Sequence, residues 1–329
     1  NFIAGYHFNL NALLDRCSLQ QLAGAADDVA VGSMVDVEFD SDETFDFLQT
    51  KGSLRFNHFD TPERSVMMKD INFDFAASPD TTLSHLSAGN MTLTFGAKGH
   101  IAALSSQLSP MMDYLSACAD SLRISHDTLR TLLPGVTLAL HAGNDNPLTN
   151  ILRAMGYTLD TLAVSVTSYP EKGLSGNLMM KNFRYGDLQL DNATAVLSHD
   201  DQGINLQGQL LNTARRNPNK FALAFRSYLL EQSGGIDFQF KDAKGRTGFD
   251  VGLRADVTHE GVQGHIYPQQ PKIAFRTFKV NPDNFIFIGN DKSLQANVRL
   301  QADDGTGLQL FSESADSLND ITLNIQNLN

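Results

Sequence analysis

The chain has 329 residues, of which 42% are hydrophobic and 19% charged, a composition that supports one or two packed domains and argues against disorder. Its formal net charge of −12 disfavours a nucleic-acid partner, because each phosphate contact depends on Lys or Arg. Apolar runs such as residues 285–288 fall far short of the roughly 18 residues that a membrane-spanning helix needs.

The first 134 residues predict strands interrupted by two helices. Leu10, Leu13 and Cys17 lie at helical offsets, which predicts a helix near residues 10–24. Ser109-Pro110 resembles an N-cap followed by proline at the first helical position, which predicts a helix near residues 108–133. Between them, apolar and polar residues alternate with the period of a strand. The apolar members include Val35, Val37, Phe39, Ile71, Phe73, Phe75, Met91, Leu93 and Phe95.

Residues 135–329 are predicted to be almost entirely strands. One short helix is expected near residues 147–155, because Asn146-Pro147 opens it and Gly156 ends it. Alternating strands follow at short intervals. Turn residues between them, such as Asp242 to Gly245 and Ser233-Gly234-Gly235, indicate tight hairpins and therefore antiparallel neighbours.

These patterns predict a mainly β fold, a long curled antiparallel sheet that is apolar inside and carries a few short amphipathic helices. About 16 strands stacked at roughly 4.8 Å would extend about 75 Å, and so large a sheet is expected to curl into a groove. Segments 1–134 and 135–329 are expected to form one continuous groove. Because the strand pattern reaches both ends, we expect the chain to be an excerpt of a longer protein.

Motifs that carry chemistry are not found. The sequence has no HExxH, GxSxG, Walker or GxGxxG pattern, so we predict no enzyme activity, no catalytic residues, no metal and no cofactor. The acidic residues from Asp36 to Asp46 are interpreted as a solvated strand edge, since Phe45 stands where a calcium loop needs glycine. Cys17 and Cys118, both in predicted helices, are left open between a disulfide and two buried free thiols.

A family resemblance lies in the second half of the chain. It is carried by DNFIFIG at residues 283–289, DDGTGLQL at 303–310 and DITLNIQNLN at 320–329, with GLSGNLMMKNFRYGDLQLDN at 173–192. These segments resemble TamB-like proteins of the AsmA superfamily, in the form found in Bacteroidetes. The first 130 residues are similar only in style. The family's membrane anchor and terminal domain are not among these segments.

The resemblance implies a role in the Gram-negative cell envelope. It implies a periplasmic, bridge-like protein, tethered to the inner membrane through a segment outside this fragment. Its apolar β-groove would carry phospholipid acyl chains between the inner and outer membranes and support outer-membrane biogenesis. The implied protein partner is an outer-membrane barrel of the TamA/Omp85 type, and no catalytic residue is implied.

If the sheet forms a lipid groove, its lining should be the apolar members of the alternating strands. The predicted lining residues are Phe73, Phe75, Leu93, Phe95, Leu178, Met180, Leu190, Leu206, Phe238, Phe240, Val251, Leu253, Val298, Leu300, Leu310, Leu323 and Ile325. The main alternative is a structural or adhesive β-repeat protein in which these side chains fill a closed, dry core. A carbohydrate-binding module is a third class, disfavoured because the chain has no Trp for sugar stacking.

Overall fold

The computed structural model describes residues 5–18, 30–60, 65–213, 220–312 and 321–327. Strands make up 65% of the described residues and helices 12%, and the described strands form one antiparallel sheet of 22 strands. The predicted mainly β class with few short helices is therefore confirmed. The strands outnumber the expected 16 or so because several are too short to show alternation, the shortest being the two-residue strand Tyr157–Thr158.

The chain divides into two compact units that are interleaved in sequence. The first unit comprises Asn1–Met112 and Arg130–Thr194, and the second comprises Asp113–Leu129 and Ala195–Asn329. Residues 136–142 pair with residues 91–97, which keeps them in the first unit.

The first unit is built from a series of antiparallel strands. They are β1 (Gly5–Ser18), β2 (Ala30–Asp42), β3 (Leu48–Asp60), β4 (Ser65–Met67), β5 (Ile71–Ala77), β6 (Thr81–Ala88), β7 (Met91–Lys98), β8 (Val136–Ala142), β9 (Tyr157–Thr158), β10 (Thr161–Tyr169) and β11 (Gly173–Tyr185). The pairing order is β1, β2, β3, β5, β6, β7, β8, β10, β11. The short strands β4 and β9 pair with β3 and β11. Strand β12 (Leu188–His199) extends beyond residue 194.

The second unit continues the meander. Its strands are β13 (Ile204–Asn212), β14 (Phe221–Leu229), β15 (Ser233–Asp242), β16 (Thr247–Val257), β17 (Gly261–Ile273), β18 (Arg276–Val280), β19 (Phe285–Gly289), β20 (Leu294–Ala302), β21 (Gly307–Ser312) and β22 (Ile321–Gln326). Each of β13 to β16 pairs with the next strand. Strand β17 pairs with both β18 and β19, and both of these pair with β20.

The turn predicted at Ser233-Gly234-Gly235 was wrong. These residues begin β15, and Gly234 is the register partner of Leu229 on β14. The chain reverses at residues 230–232 instead. Glycine permits a turn but does not require one, and here it is used inside a strand.

Among the described residues there are three helices, α1 (Ile101–Ser121), α2 (His126–Thr131) and α3 (Pro147–Ala154). Helix α3 begins as predicted, since the Asn146 side chain accepts a hydrogen bond from the Thr149 amide at 3.0 Å. Gly156 follows it with a φ of +88°. Helix α1 starts earlier than expected, so Pro110 lies inside it. Ile101, Leu104 and Leu108 extend the apolar periodicity upstream of the proline.

The helix predicted near residues 10–24 was wrong over the part that the structure describes. Residues 10–18 belong to strand β1, and residues 19–24 lie outside the described residues. Leu10, Leu13 and Cys17 fit a helical period, but Tyr6, Phe8 and Leu10 also fit a strand period. Pairing along β2 decides between the two.

The two cysteines are both free and half-buried. Cys17 lies on strand β1 and Cys118 on helix α1, so the helical assignment of Cys17 was also wrong. Neither thiol forms a disulfide.

Candidate functional site

One face of the first unit carries a continuous apolar row across nine strands. Successive register partners in this row are Leu10, Val37, Gly52, Phe73, Leu86, Leu93, Leu140, Val164 and Leu178. The Phe73 ring lies over Gly52, where a Cβ atom would collide with it. The aromatic ring thus takes the space of the missing side chain and keeps the row apolar.

The opposite face of the same strands is polar. Directly beside the apolar row runs a second row of register partners, Asn9, Glu38, Lys51, Asp74, His85, Thr94, Ala139, Ser165 and Asn177. All of these except Ser165 are exposed. Strand alternation therefore gives the first unit one wet face and one apolar face.

The predicted lining residues of the first unit mostly share the apolar face. Phe73, Leu93 and Leu178 belong to the apolar row described above. Phe75 and Phe95 lie two residues farther along β5 and β7, on the same face. Side chains of a closed core are almost fully buried. Here Phe73, Phe75, Leu93, Phe95 and Met180 are only half-buried, and Leu178 is 38% exposed. This apolar face is therefore left partly open.

Leu190 differs from the other lining residues of the first unit. It is 8% exposed and belongs to the buried residues of β12. The structure thus places it in packed surroundings and not on the open part of the apolar face.

The second unit repeats the division into two faces. Apolar register pairs such as Phe238 with Val251 and Leu253 with Ile266 lie on one face. Leu206, Phe240 and Val251 are half-buried there, whereas Phe238 and Leu253 are 37% and 51% exposed. These predicted lining residues thus lie together on a face that is partly exposed to solvent.

A cavity of about 510 Å³ opens on this apolar face, within the range of 300–1,000 Å³ that is typical of ligand pockets. Its floor includes Gly234, Ala255 and Gly264, which are register neighbours on β15, β16 and β17. Larger aliphatic residues stand around this floor. They are Ile236, Leu253, Val262, Ile266, Ile286, Ile288 and Val298.

Only Leu253 and Val298 of the predicted lining contact this cavity. Sequence reasoning missed its other aliphatic residues. Val262 and Ile266 lie on either side of Gly264, and Ile286 and Ile288 belong to the unbroken apolar run 285–288, so neither pair shows a clear alternation. It missed the glycines because a residue without a side chain adds nothing to a hydrophobic pattern.

Strands β18 and β20 of the second unit form a closed core. Val298 and Leu300, at 3% and 8% exposure, pack with Phe278, Val280 and Ala302. Leu310 is half-buried against this core. Leu323 and Ile325 lie beyond it on β22 and are 56% and 49% exposed. The apolar side chains around β18 and β20 therefore contact one another.

The polar face of the second unit carries an ionic cluster. Arg254 donates three hydrogen bonds to the carboxylate oxygens of Asp256, and these raise the pKa of the arginine. Burial raises the pKa of Tyr267 to about 12, and a hydrogen bond to Asp237 acts in the same direction. The Tyr267 ring lies over Gly252, where a Cβ atom would meet it.

The raised pKa of Tyr267 predicts a loss of stability at alkaline pH. Because the folded pKa of about 12 exceeds the ordinary value of 10.0, the stabilising effect is complete below pH 10 and disappears as the pH rises through 12. We expect Tyr267→Phe to remove this phase from the pH dependence of unfolding. Ultraviolet phenolate absorbance should show the loss of one late-titrating tyrosine. Tyr185→Phe, at an exposed tyrosine, is the control; an unchanged late phase in Tyr267→Phe would contradict the assignment.

No helix among the described residues is long and apolar enough to cross a membrane. Comparison with protein-family models, with curated proteins and with solved structures finds no match to this chain.

Proposed function

We propose that this chain is a carrier for phospholipid, and that acyl chains lie on the apolar face of its sheet. The proposal depends on one observation, which is that one face of the sheet is apolar and the other is polar. Rows of apolar side chains stay half-buried on one side, while the other side is polar and exposed. A continuous apolar face that stays partly exposed on a folded protein marks a binding surface. Hydrocarbon chains suit it because they need no hydrogen bonds from the protein.

The cavity on the second unit supports the same ligand class. Its lining residues are glycine or aliphatic except Arg254, His265 and Asn284, and its volume is about 510 Å³. Burial of each methylene group of an acyl chain contributes about 0.8 kcal/mol. A polar or sugar ligand would gain little from such a lining, since its hydrogen bonds would go unmade.

The proposal extends to the envelope role that the resemblance to TamB-like proteins implies. The chain would act as a non-enzymatic, periplasmic bridge that carries phospholipid between the inner and outer membranes and supports outer-membrane assembly. Its inner-membrane tether and its contact with an outer-membrane barrel of the TamA/Omp85 type would lie outside residues 1–329. Support for this part comes from the residues that carry the resemblance.

The experiment that tests the carrier proposal is native mass spectrometry of the purified protein, with lipid extraction and titration of a fluorescent phospholipid. We expect copurified phospholipid and saturable binding of the probe. A lipid-free protein that also ignores the probe would contradict the proposal.

A second candidate is a structural or adhesive β protein with a closed, dry core. The packed cluster of Phe278, Val280, Val298 and Leu300 favours it locally. The half-buried faces of β5, β7 and β16 do not share this packing. The two candidates therefore differ in whether the open faces bind hydrocarbon.

Filling the cavity gives a direct test. A Cβ atom at Gly264 would meet its nearest neighbours, two carbonyl oxygens, at 3.6 and 3.8 Å, so Gly264→Val fits without a collision at Cβ. We expect this variant to fold and to reduce the amount of phospholipid bound to the second unit by about half or more, because the valine occupies the cavity. Gln209→Val, on the polar face of β13, is the matched control. Equal lipid binding by both variants would exclude the cavity as a lipid site.

A further inference from the structure

Three metal-ligating side chains converge on the polar face of β1 and β2. His7 is the register partner of Asp40, and Glu38 lies two residues along β2 from Asp40, on the same face. One ligand atom from each residue lies within 4.8 Å of the other two. The antiparallel register brings together residues that are about 30 positions apart in sequence.

The donor set indicates which kind of ion would fit. One imidazole nitrogen and two carboxylate oxygens suit zinc and similar divalent transition metals, whereas calcium and magnesium prefer oxygen ligands alone. His7 and Glu38 are exposed and Asp40 is half-buried. Water can therefore reach a fourth coordination position, as in zinc sites with three protein ligands.

The backbone beneath the three side chains is held by aromatic packing. Phe8 and Phe39, the register pair next to His7 and Asp40, stack on the other face with ring centroids 4.8 Å apart. Their contact fixes the alignment of β1 with β2 without any metal. A site whose backbone is already aligned needs only side-chain rotations to close around an ion.

The charges on this face are mixed, because the carboxylates of Glu38 and Asp40 stand beside a cation, Lys51, which is the register partner of Glu38 on β3. His7 Nδ1 lies 2.8 Å from a carboxylate oxygen of Asp40. Arg55 of the neighbouring strand β3 pairs with Asp36, so this arginine is engaged outside the triad. A divalent ion would offset the charge of both triad carboxylates while binding the imidazole.

We propose that His7, Glu38 and Asp40 form a binding site for a divalent transition-metal ion, which joins β1 to β2. The proposal is independent of lipid binding, since the three residues lie on the polar face.

Isothermal titration calorimetry with zinc chloride on chelator-stripped protein tests the proposal. We expect one saturable site per chain, and a loss of affinity of about tenfold or more in His7→Ala, Glu38→Gln and Asp40→Asn. His85→Ala removes another exposed histidine from the same face and should bind zinc like the unaltered protein. Calcium chloride should give no comparable binding.

Thermal unfolding provides the second measurement. Zinc should raise the melting temperature of the unaltered protein and of His85→Ala, and should not raise that of His7→Ala. Circular dichroism of the metal-free variants checks that the exposed substitutions leave the fold intact. The proposal is overturned by a lack of saturable zinc binding, or by affinity that survives in His7→Ala, or by an equal loss in His85→Ala.

Discussion

Leu253→Arg is expected to abolish phospholipid binding at the second unit while leaving the protein folded. Leu253 is 51% exposed and lines the cavity on the apolar face. A guanidinium here reaches water, so folding tolerates it. A bound acyl chain would have to lie against the charge, which hydrocarbon cannot solvate. We expect the affinity for phospholipid at this unit to fall by about tenfold or more, and a tenfold change in a binding constant corresponds to about 1.4 kcal/mol.

The measurement is native mass spectrometry together with binding of a fluorescent phospholipid, and circular dichroism reports the fold. Gln209→Arg introduces the same charge on the polar face of β13 and should leave lipid binding unchanged. If Leu253→Arg binds lipid as well as Gln209→Arg does, the apolar face is not the binding surface.

Leu300→Arg should have the opposite outcome and unfold the second unit. Leu300 is 8% exposed and packs in the core with Phe278 and Val280. An unpaired charge in such surroundings costs several kcal/mol, which is comparable with the total stability of about 5–15 kcal/mol of a typical domain. Leu300→Ala should be milder and cost about 2–5 kcal/mol.

The matched control for this prediction is Ile325→Arg. Ile325 and Leu300 belong to one apolar row, because both are register partners of Leu308, but Ile325 is 49% exposed. Urea unfolding should show a large loss of stability for Leu300→Arg and a small one for Ile325→Arg. Similar losses in both variants would mean that burial is not what distinguishes the two positions.

Alternation predicts which side chains share a face, and it could be read from the sequence. Phe73, Leu93 and Leu178 were predicted to lie together and occupy one row. The sequence could not show how the rows are covered. Leu300 and Ile325 have the same pattern, yet only Leu300 is packed in the closed core with β18. Coverage depends on tertiary packing, and local periodicity contains no information about it.

The prediction of helix or strand from the sequence failed at β1, where the apolar residues fit both periods. The apolar residues of β1 satisfy a helical spacing and a strand spacing, and pairing with residues 12 to 37 positions downstream decides the outcome. A local pattern does not contain that partner. For the same reason, the cluster of His7, Glu38 and Asp40 could not be predicted from the sequence, since only the register with β2 brings His7 beside Asp40.

The cavity could not be predicted because its floor consists of small residues. Gly234 was interpreted as a turn residue and Gly264 contributed no signal. The strand register places both glycines beside Ala255, and only there do the three small residues form the floor of a cavity. Aliphatic neighbours such as Ile266 and Ile286 then stand around a depression.

The pairing of β7 with β8 has a consequence for the order of folding. Residues 99–135, including α1 and α2, separate these two strands, and the excursion closes where the Lys98 amide donates to the Gly135 carbonyl at 2.7 Å. This segment is longer than a hairpin loop of about four residues by about three doublings of length. The entropic cost of bringing its ends together is therefore about 2 kcal/mol higher than for a hairpin loop. We therefore expect β5, β6 and β7 to pair first and form a three-stranded nucleus. Strand β8 should pair with β7 in a later, slower step.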